Sequence, residues 1–181
     1  MVTEINYLVD VLGKIKDLKR SGWIQRKVSL PESDADHMFS CAFLVLILAD
    51  KFDVNRLRCL QLALVHDLSE IISGDPVPGE KSFEDKYQSE LLAITEISQK
   101  ISMPELTDWF KEFEEGITRE AQLVRCLDKL ETVMTSAYYD KENRSDAKVF
   151  NEFSSYAISQ LQSFDNEFSS FTTDLIKQIK S

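Results

Sequence analysis

The sequence of 181 residues has few glycines and prolines, five and four respectively. These residues form most tight turns, and a sandwich or barrel of short strands needs many of them. Their scarcity favours helices. Hydrophobic residues make up 43% of the chain and aromatic residues 10%, which is typical of a globular protein rather than a disordered or fibrous one. A chain of this length can fold as one domain with a substantial core.

The sequence also lacks the features of a secreted or membrane protein. Its three cysteines, Cys41, Cys59 and Cys126, have no CxxC spacing and lie in apolar segments, so we expect small buried side chains and no disulfide. The first twenty residues mix charged and apolar positions, unlike a secretory signal. The longest apolar run, residues 41–49, is far shorter than the roughly 20 residues that span a bilayer. We therefore expect a soluble cytoplasmic protein without a membrane partner.

Positive charge is scarce: 21 basic residues face 31 acidic ones, giving a net charge of -10. This balance argues against binding a nucleic-acid polymer, because such binding depends on neutralising many phosphates with Lys and Arg. One segment reverses it, since residues 14–27 carry six basic residues and a single acid, Asp17. A small anionic ligand could be attracted there.

Apolar residues recur at steps of three and four along most of the chain, which predicts an all-α fold. Within the second segment, Ser33 and Asp36 have the spacing of a capping box. A third segment is apolar enough to be central, and the Pro76, Pro78 and Gly79 cluster predicts the loop after it. The predicted helices run approximately over residues 4–19, 33–51, 54–72, a stretch around 91–101, a short one around 109–113, 119–140, and a last segment from 145, in one or two pieces.

Four ionisable residues interrupt these apolar segments: His37, His66, Asp67 and Asp128. A buried charge without a partner costs several kcal/mol or more, so each needs compensation. The chain has only two histidines, and both lie at apolar positions near a helix end. Two imidazoles and two carboxylates are a ligand set suited to Mn, Fe, Co, Zn or Ni. The alternatives are hydrogen-bonded core histidines and an aspartate that pairs with a neighbouring basic residue, Arg125 or Lys129.

Three segments resemble the HD-domain 5'-deoxynucleotidases, small helical phosphohydrolases whose pattern is H, then HD, then D. They are GWIQRKVSLPESDADHM around His37, LALVHDLSEIISGD around His66 and Asp67, and LVRCLDKLE around Asp128. The resemblance implies a single HD domain over residues 1–181, a bundle of about six or seven helices. Its core would cover residues 20–140, and a C-terminal helix over 145–180 would pack on it or at a dimer interface.

The resemblance also implies roles for particular residues. The metal ligands fall on His37, His66, Asp67 and Asp128, and the acidic catalytic residues on Glu70 and Asp75. An Arg and a Trp that face the phosphate and sugar fall among Arg20, Trp23 and Arg26. Read from the sequence alone, Glu70 is four residues beyond His66 and would share its helix face, yet it could equally be a solvated helix end. Asp75 could be a turn residue, and Arg20 and Arg26 could be surface charges. Trp23 could hold the loop against the core.

The resemblance therefore implies a phosphohydrolase that releases inorganic phosphate from (deoxy)nucleoside 5'-monophosphates. It would use one divalent cation, drawn from Mn, Co, Mg, Ni, Fe or Zn, because the larger histidine set of two-metal HD phosphodiesterases is missing. The expected partners are a small nucleotide substrate and, from the resemblance, a second copy of the chain. Two alternatives stay open: an enzyme acting on another nucleotide, such as a triphosphate or a guanosine polyphosphate, and a non-catalytic module that binds a nucleotide or a partner protein.

Overall fold

The computed structural model describes residues 2–77, 79–80, 82–164 and 166–180, so Pro78 of the predicted loop lies outside the described residues, as do Met1 and Ser181. Ten α-helices and one 3-10 turn, Ala49–Lys51, account for the regular structure in these ranges. The helices are α1 Val2–Asp17, α2 Ser21–Gln25, α3 Asp34–Leu48, α4 Arg56–Ala63, α5 Glu70–Ser73, α6 Phe83–Lys100, α7 Glu105–Glu115, α8 Arg119–Lys141, α9 Ala147–Leu161 and α10 Asn166–Lys180.

The predicted all-α class is confirmed, and the described ranges contain no strand beyond an isolated bridge between Lys19 and Ser33. The helix count is higher than the six or seven predicted, for three reasons. A short helix, α2, lies in the loop after α1; the predicted third helix divides into α4 and α5; and the last segment is two helices, α9 and α10.

Helix α8 lies at the centre of the fold. Its buried side chains point in nearly every direction around the helix, and it contacts α3, α4, α7, α9 and α10. Burying this much apolar surface at about 25 cal/mol per Å² makes the helix a large contributor to stability. The main core therefore surrounds α8, and Leu123, Leu127 and Leu130 belong to one buried cluster with residues of α3, α4 and α10.

Helix α3 is apolar on two faces. One face, which includes Cys41 and Val45, is buried against the core. The other carries four large apolar side chains that are about half exposed or more: Phe39, Phe43, Leu46 and Ile47. Their spacing of four, three and one residues aligns them along one side of the helix. We call these four residues the α3 stripe.

No helix in the described ranges combines the length and the apolar character needed to cross a membrane. The predicted small buried cysteines are found, since Cys41, Cys59 and Cys126 are all buried free thiols.

Candidate metal centre

His37 lies in the first turn of α3, where local sequence fixes the start of the helix. The Ser33 side chain accepts a hydrogen bond from the Asp36 backbone N–H, and the Asp36 carboxylate accepts one from the Ser33 N–H, at 3.2 and 2.9 Å. The predicted capping box is therefore present. It begins the helix so that His37, fully buried, points inward between α3 and α8.

His66 and Asp67 lie in a series of turns between α4 and α5, and the predicted continuous helix over 54–72 is wrong at this point. The His66 ring donates through Nδ1 to the Ala63 carbonyl, 2.9 Å away, at the end of α4. The backbone N–H groups of Val65 and Leu68 donate to carbonyls three residues earlier, those of Leu62 and Val65. This spacing is tighter than the four residues of an α-helix. Glu70 consequently begins α5 and does not share a continuous helix face with His66.

Asp128 comes from the middle of α8 and is only 7% exposed. Its Oδ1 is 3.2 Å from His37 Nε2, and its Oδ2 accepts a hydrogen bond from Lys129 Nζ at 2.7 Å. The pairing with Lys129 considered from the sequence is thus present, together with the contact to His37.

The four predicted ligand residues converge on one point. His37 Nε2 lies 3.3 Å from His66 Nε2 and 3.7 Å from Asp67 Oδ2, and His66 Nε2 lies 3.3 Å from Asp67 Oδ2. Ligand atoms at roughly 2.0–2.2 Å from a common ion would be separated by about 3–3.5 Å. His37, Cys41, His66 and Asp128 each offer one donor atom within 4.8 Å of the others. Asp67 is outside that group, but its Oδ2 lies 3.3 and 3.7 Å from the two Nε2 atoms.

The histidine rings are oriented for this purpose. His37 Nδ1 is 2.6 Å from Glu131 Oε2, and His66 Nδ1 bonds the Ala63 carbonyl. Both rings consequently direct Nε2 towards the centre. Cys41 Sγ is also near, 3.6 Å from His37 Nε2, but burial raises the pKa of the Cys41 thiol to about 12. The thiol is neutral at physiological pH and is the weaker ligand, since thiolate is the form that binds metals.

The electrostatics of the centre favour a positive charge. Burial and Arg20 lower the pKa of His37, yet Cys41, Glu131 and Asp128 raise it well above its usual value. Burial raises the pKa of Asp128, but Lys129 and His37 hold it well below its usual range. A divalent cation among these side chains would satisfy the carboxylates that stay ionised.

A second group of carboxylates lies beside the first. The carboxylates of Asp34, Glu70 and Asp75 have oxygens within 4.8 Å of one another. Asp75 accepts a hydrogen bond from the Ser21 N–H at 2.5 Å. Gly74 directs Asp75 there, since it ends α5 with φ +79° and ψ 165°, a conformation open to glycine.

Burial dominates the properties of Asp34 and Glu70. Among the described residues, neither oxygen of Asp34 has a hydrogen-bond partner, and neither does Glu70 Oε2. Burial, followed by Asp67 and Asp75, raises the pKa of Glu70 well above its usual value. Burial and then Asp67 raise the pKa of Asp34 to about 7. Asp34 could not be singled out from the sequence, because an acidic residue in the first turn of a helix is common for its interaction with the helix dipole alone.

A cavity of about 450 Å³ is bordered by residues of both groups, while the fully buried His37 and Asp34 are outside its lining. Helices α6, α8 and α9 contribute to its walls. The cavity is lined by the predicted residues Arg20, Trp23, His66, Asp67, Glu70, Asp75 and Asp128, by the cations Lys86, Arg125 and Lys129, and by Phe153, Tyr156 and Gln160 of α9. The lining thus combines acidic groups, basic groups and aromatic rings.

The three predicted substrate residues have different surroundings. Arg20 lines the cavity and donates from Nη1 to Asp67 Oδ2 at 2.7 Å. Trp23 also borders the cavity but is 1% exposed, and its Nε1 donates to Glu32 at 2.9 Å. Arg26 is outside the lining, because its guanidinium is held by Glu152 and the Gly22 carbonyl. The structure therefore gives no support to Arg26 as a substrate residue.

A family model described as HD domain matches residues 12–166, and the chain belongs to the HD-domain family. It is 38% identical over 150 residues to the 5'-deoxynucleotidase HDDC2 of Dictyostelium discoideum, covering 76% of this chain and 79% of that protein. The protein of the same name from Xenopus laevis is 32% identical over 151 residues, 81% of this chain and 75% of that one. The resemblance seen in the sequence is confirmed.

The fold is also found among solved structures. The crystal structure of the PH0347 protein from Pyrococcus horikoshii OT3 is 31% identical, with a TM-score of 0.79 over 99% of this chain and 98% of that one. Almost the whole chain, α9 and α10 included, therefore has a structural counterpart.

Proposed function

We propose that this protein is a metal-dependent phosphohydrolase that releases inorganic phosphate from deoxynucleoside 5'-monophosphates. The observation that carries the proposal is the convergence of two imidazole nitrogens and two carboxylates at a cavity that also holds a buried glutamate and an arginine. Relatives named 5'-deoxynucleotidase support the substrate class.

His37, His66, Asp67 and Asp128 would hold one divalent cation. When bound, such a cation polarises a phosphoryl oxygen and lowers the pKa of a bound water. The mixed nitrogen and oxygen ligands suit Mn, Fe, Co, Ni or Zn, and Mg is a further candidate. A metal-to-protein ratio near one is expected, and a ratio of two would contradict a single-ion centre.

Glu70 is the proposed proton-transfer residue. Its carboxyl group borders the cavity, and its raised pKa, caused first by burial, favours the form that holds a proton. Asp75, through its position beside Glu70, would keep that pKa raised. We assign Glu70 the transfer of a proton to or from the attacking water or the leaving 5'-oxygen.

Arg20 is the proposed phosphate-binding residue, with Trp23 as a rigid wall beside the sugar. One nitrogen of the Arg20 guanidinium contacts Asp67, and the planar group carries further donors for phosphate oxygens. The Trp23 ring is fixed by Phe153 and Tyr139, with ring centroids 4.3 and 5.2 Å away. Lys86 and Lys129 add positive charge to the same cavity.

Arg20→Lys is expected to raise the KM for a deoxynucleoside monophosphate by roughly 10-fold to 100-fold, the cost of losing hydrogen bonds to a charged group. Lysine keeps the positive charge beside Asp67, so the metal content should stay near that of the wild type. The measurement is steady-state phosphate release at saturating metal. Arg26→Lys is the matched control and should change KM by no more than about twofold. Equal effects of the two substitutions would remove Arg20 from the phosphate site.

The proposed function is tested by phosphate release from a panel of ribo- and deoxyribonucleoside monophosphates. Chelator-treated protein would be supplied in turn with Mn, Co, Mg, Ni and Zn. Release from deoxynucleoside monophosphates with at least one metal is expected. Release only from a triphosphate or a guanosine polyphosphate would transfer the proposal to that substrate. If the folded protein releases no phosphate with any of these metals, the proposed activity is wrong and the alternative of a non-catalytic binding module is favoured.

We also propose that residues 1–181 form one HD domain, with α9 and α10 packed on its core. The match to the HD domain over residues 12–166 and the contacts of both helices with α8 support this. The cytoplasmic location stays a prediction.

A homodimer is the proposed assembly, with the α3 stripe as its surface. Phe39 and Phe43 are 68% and 54% exposed, and their rings are stacked with centroids 6.4 Å apart. Four large apolar side chains side by side on one helix face form a surface that a second copy of the chain could cover.

Phe43→Asp is expected to convert the dimer to a monomer, because a buried unpaired carboxylate would be placed in the interface. Light scattering coupled to size-exclusion chromatography measures the mass. The control is Ile117→Asp, at an apolar residue that is 75% exposed between α7 and α8. A monomeric wild type would contradict the proposed assembly, and a dimeric Phe43→Asp variant would contradict its assigned surface.

A further inference from the structure

Glu131 is a buried carboxylate directly behind the proposed metal centre. It follows Asp128 by three residues on α8, and its side chain is 3% exposed. Its Oε2 lies 2.6 Å from His37 Nδ1, and its Oε1 accepts a hydrogen bond from Thr135 Oγ1 at 2.8 Å. Glu131 is absent from the lining of the cavity. It therefore acts on the centre through His37 and does not touch a substrate there.

The contact favours one tautomer of the neutral His37 ring, the form that binds a metal. In that tautomer Nδ1 donates its proton to the carboxylate and the lone pair is on Nε2. That nitrogen is the one that lies 3.2 Å from Asp128 Oδ1 and 3.3 Å from His66 Nε2. The carboxylate also increases the electron density of the ring, which makes Nε2 a better metal ligand.

The two histidines differ in this respect. His66 is held by a backbone carbonyl, that of Ala63, which carries no net charge. His37 is held by a carboxylate whose other oxygen is fixed by Thr135. The affinity of the centre for a cation should consequently depend on a side chain behind His37 and on none in the same place behind His66.

We infer that Glu131 is a positioning residue that holds His37 in the tautomer and orientation required to bind a divalent cation. This inference rests on the proposed metal centre. Loss of such an outer carboxylate typically weakens metal affinity by about 10-fold to 100-fold. A merely structural buried carboxylate would instead affect the melting temperature of the metal-free protein and leave metal affinity unchanged.

The test compares the Co²⁺ and Mn²⁺ dissociation constants of the full-length wild type, Glu131→Gln and Glu131→Ala, measured by competition with a chromophoric chelator. Glutamine retains an oxygen that accepts from Nδ1 but lacks the charge, so its affinity should lie between those of the wild type and the alanine variant. The visible absorption of the Co²⁺ protein should change in both variants, because the His37 ring would contribute a different ligand field to the ion.

Glu90→Gln is the matched control, since Glu90 is equally buried, 3% exposed, and contacts Lys86 instead of a proposed ligand. Its dissociation constants should stay within about twofold of the wild type. His37→Ala separates the two proposals. If His37→Ala loses metal and Glu131→Gln binds it as the wild type does, the positioning role is overturned and the metal centre stands. If His37→Ala binds metal as the wild type does, the centre itself is wrong.

Discussion

Asp67→Ala is expected to lose both the bound divalent cation and turnover. Asp67 Oδ2 lies within 3.7 Å of both Nε2 atoms of the centre, and Arg20 donates to the same oxygen. Removing the carboxylate leaves the cation with one acidic ligand and leaves Arg20 without this partner. Because a cation supplies several kcal/mol of transition-state stabilisation, kcat/KM should fall by roughly 10³-fold or more.

The measurement pairs metal content, by elemental analysis after dialysis, with phosphate release. Asp108→Ala, at an exposed aspartate of α7, serves as the control for removal of a carboxylate. It should retain metal and activity. A variant at Asp67 that keeps its metal and turns over as the wild type does would remove this residue from the ligand set.

Glu70→Gln is expected to keep its metal and lose turnover by about 10²-fold to 10⁴-fold, the usual contribution of a general acid or base. Glutamine has the shape of glutamate, but its amide does not accept or release a proton at the pH of the assay. The melting temperature should not fall, since a buried carboxyl group with one oxygen unpartnered among the described residues is replaced by a neutral amide.

Glu90→Gln provides the comparison for Glu70→Gln, because both glutamates are buried beside Lys86, at 3.2 and 3.9 Å from its Nζ. Only Glu70 borders the cavity. Turnover by Glu90→Gln should therefore remain close to that of the wild type. Loss of metal in Glu70→Gln would show that Glu70 is a ligand and that its proposed role is wrong.

Features with a local cause could be predicted from the sequence. The capping box of Ser33 and Asp36 starts α3 as expected, because both partners lie within one turn. Helix α8 extends over residues 119–141 against a prediction of 119–140, since its apolar positions recur regularly along its whole length. The candidate ligand residues could be recognised because they are ionisable residues that interrupt apolar segments.

Two features could not be predicted from the apolar pattern. The apolar run over residues 54–72 reads as one helix, but the bond from the His66 ring to the Ala63 carbonyl and backbone bonds of spacing three accompany its division into α4 and α5. The surroundings of Arg26 were equally hidden, because its partner Glu152 is 126 residues away in sequence. Neither contact leaves a periodic pattern in the chain.

The contribution of α9 to the cavity was also missed. The sequence presents this segment as a generic amphipathic helix, yet Phe153, Tyr156 and Gln160 form part of the cavity wall. The amphipathic pattern predicts which side of a helix is buried but not which neighbour it meets. Helix α9 therefore borders the site and also packs on the core.

The central claim is tested most directly by anomalous diffraction from crystals of the protein loaded with Mn²⁺. The account predicts one strong peak roughly 2.0–2.3 Å from His37 Nε2, His66 Nε2 and a carboxylate oxygen each of Asp67 and Asp128. A catalytically active crystal form whose metal is bound by other residues, away from both histidines, would contradict it.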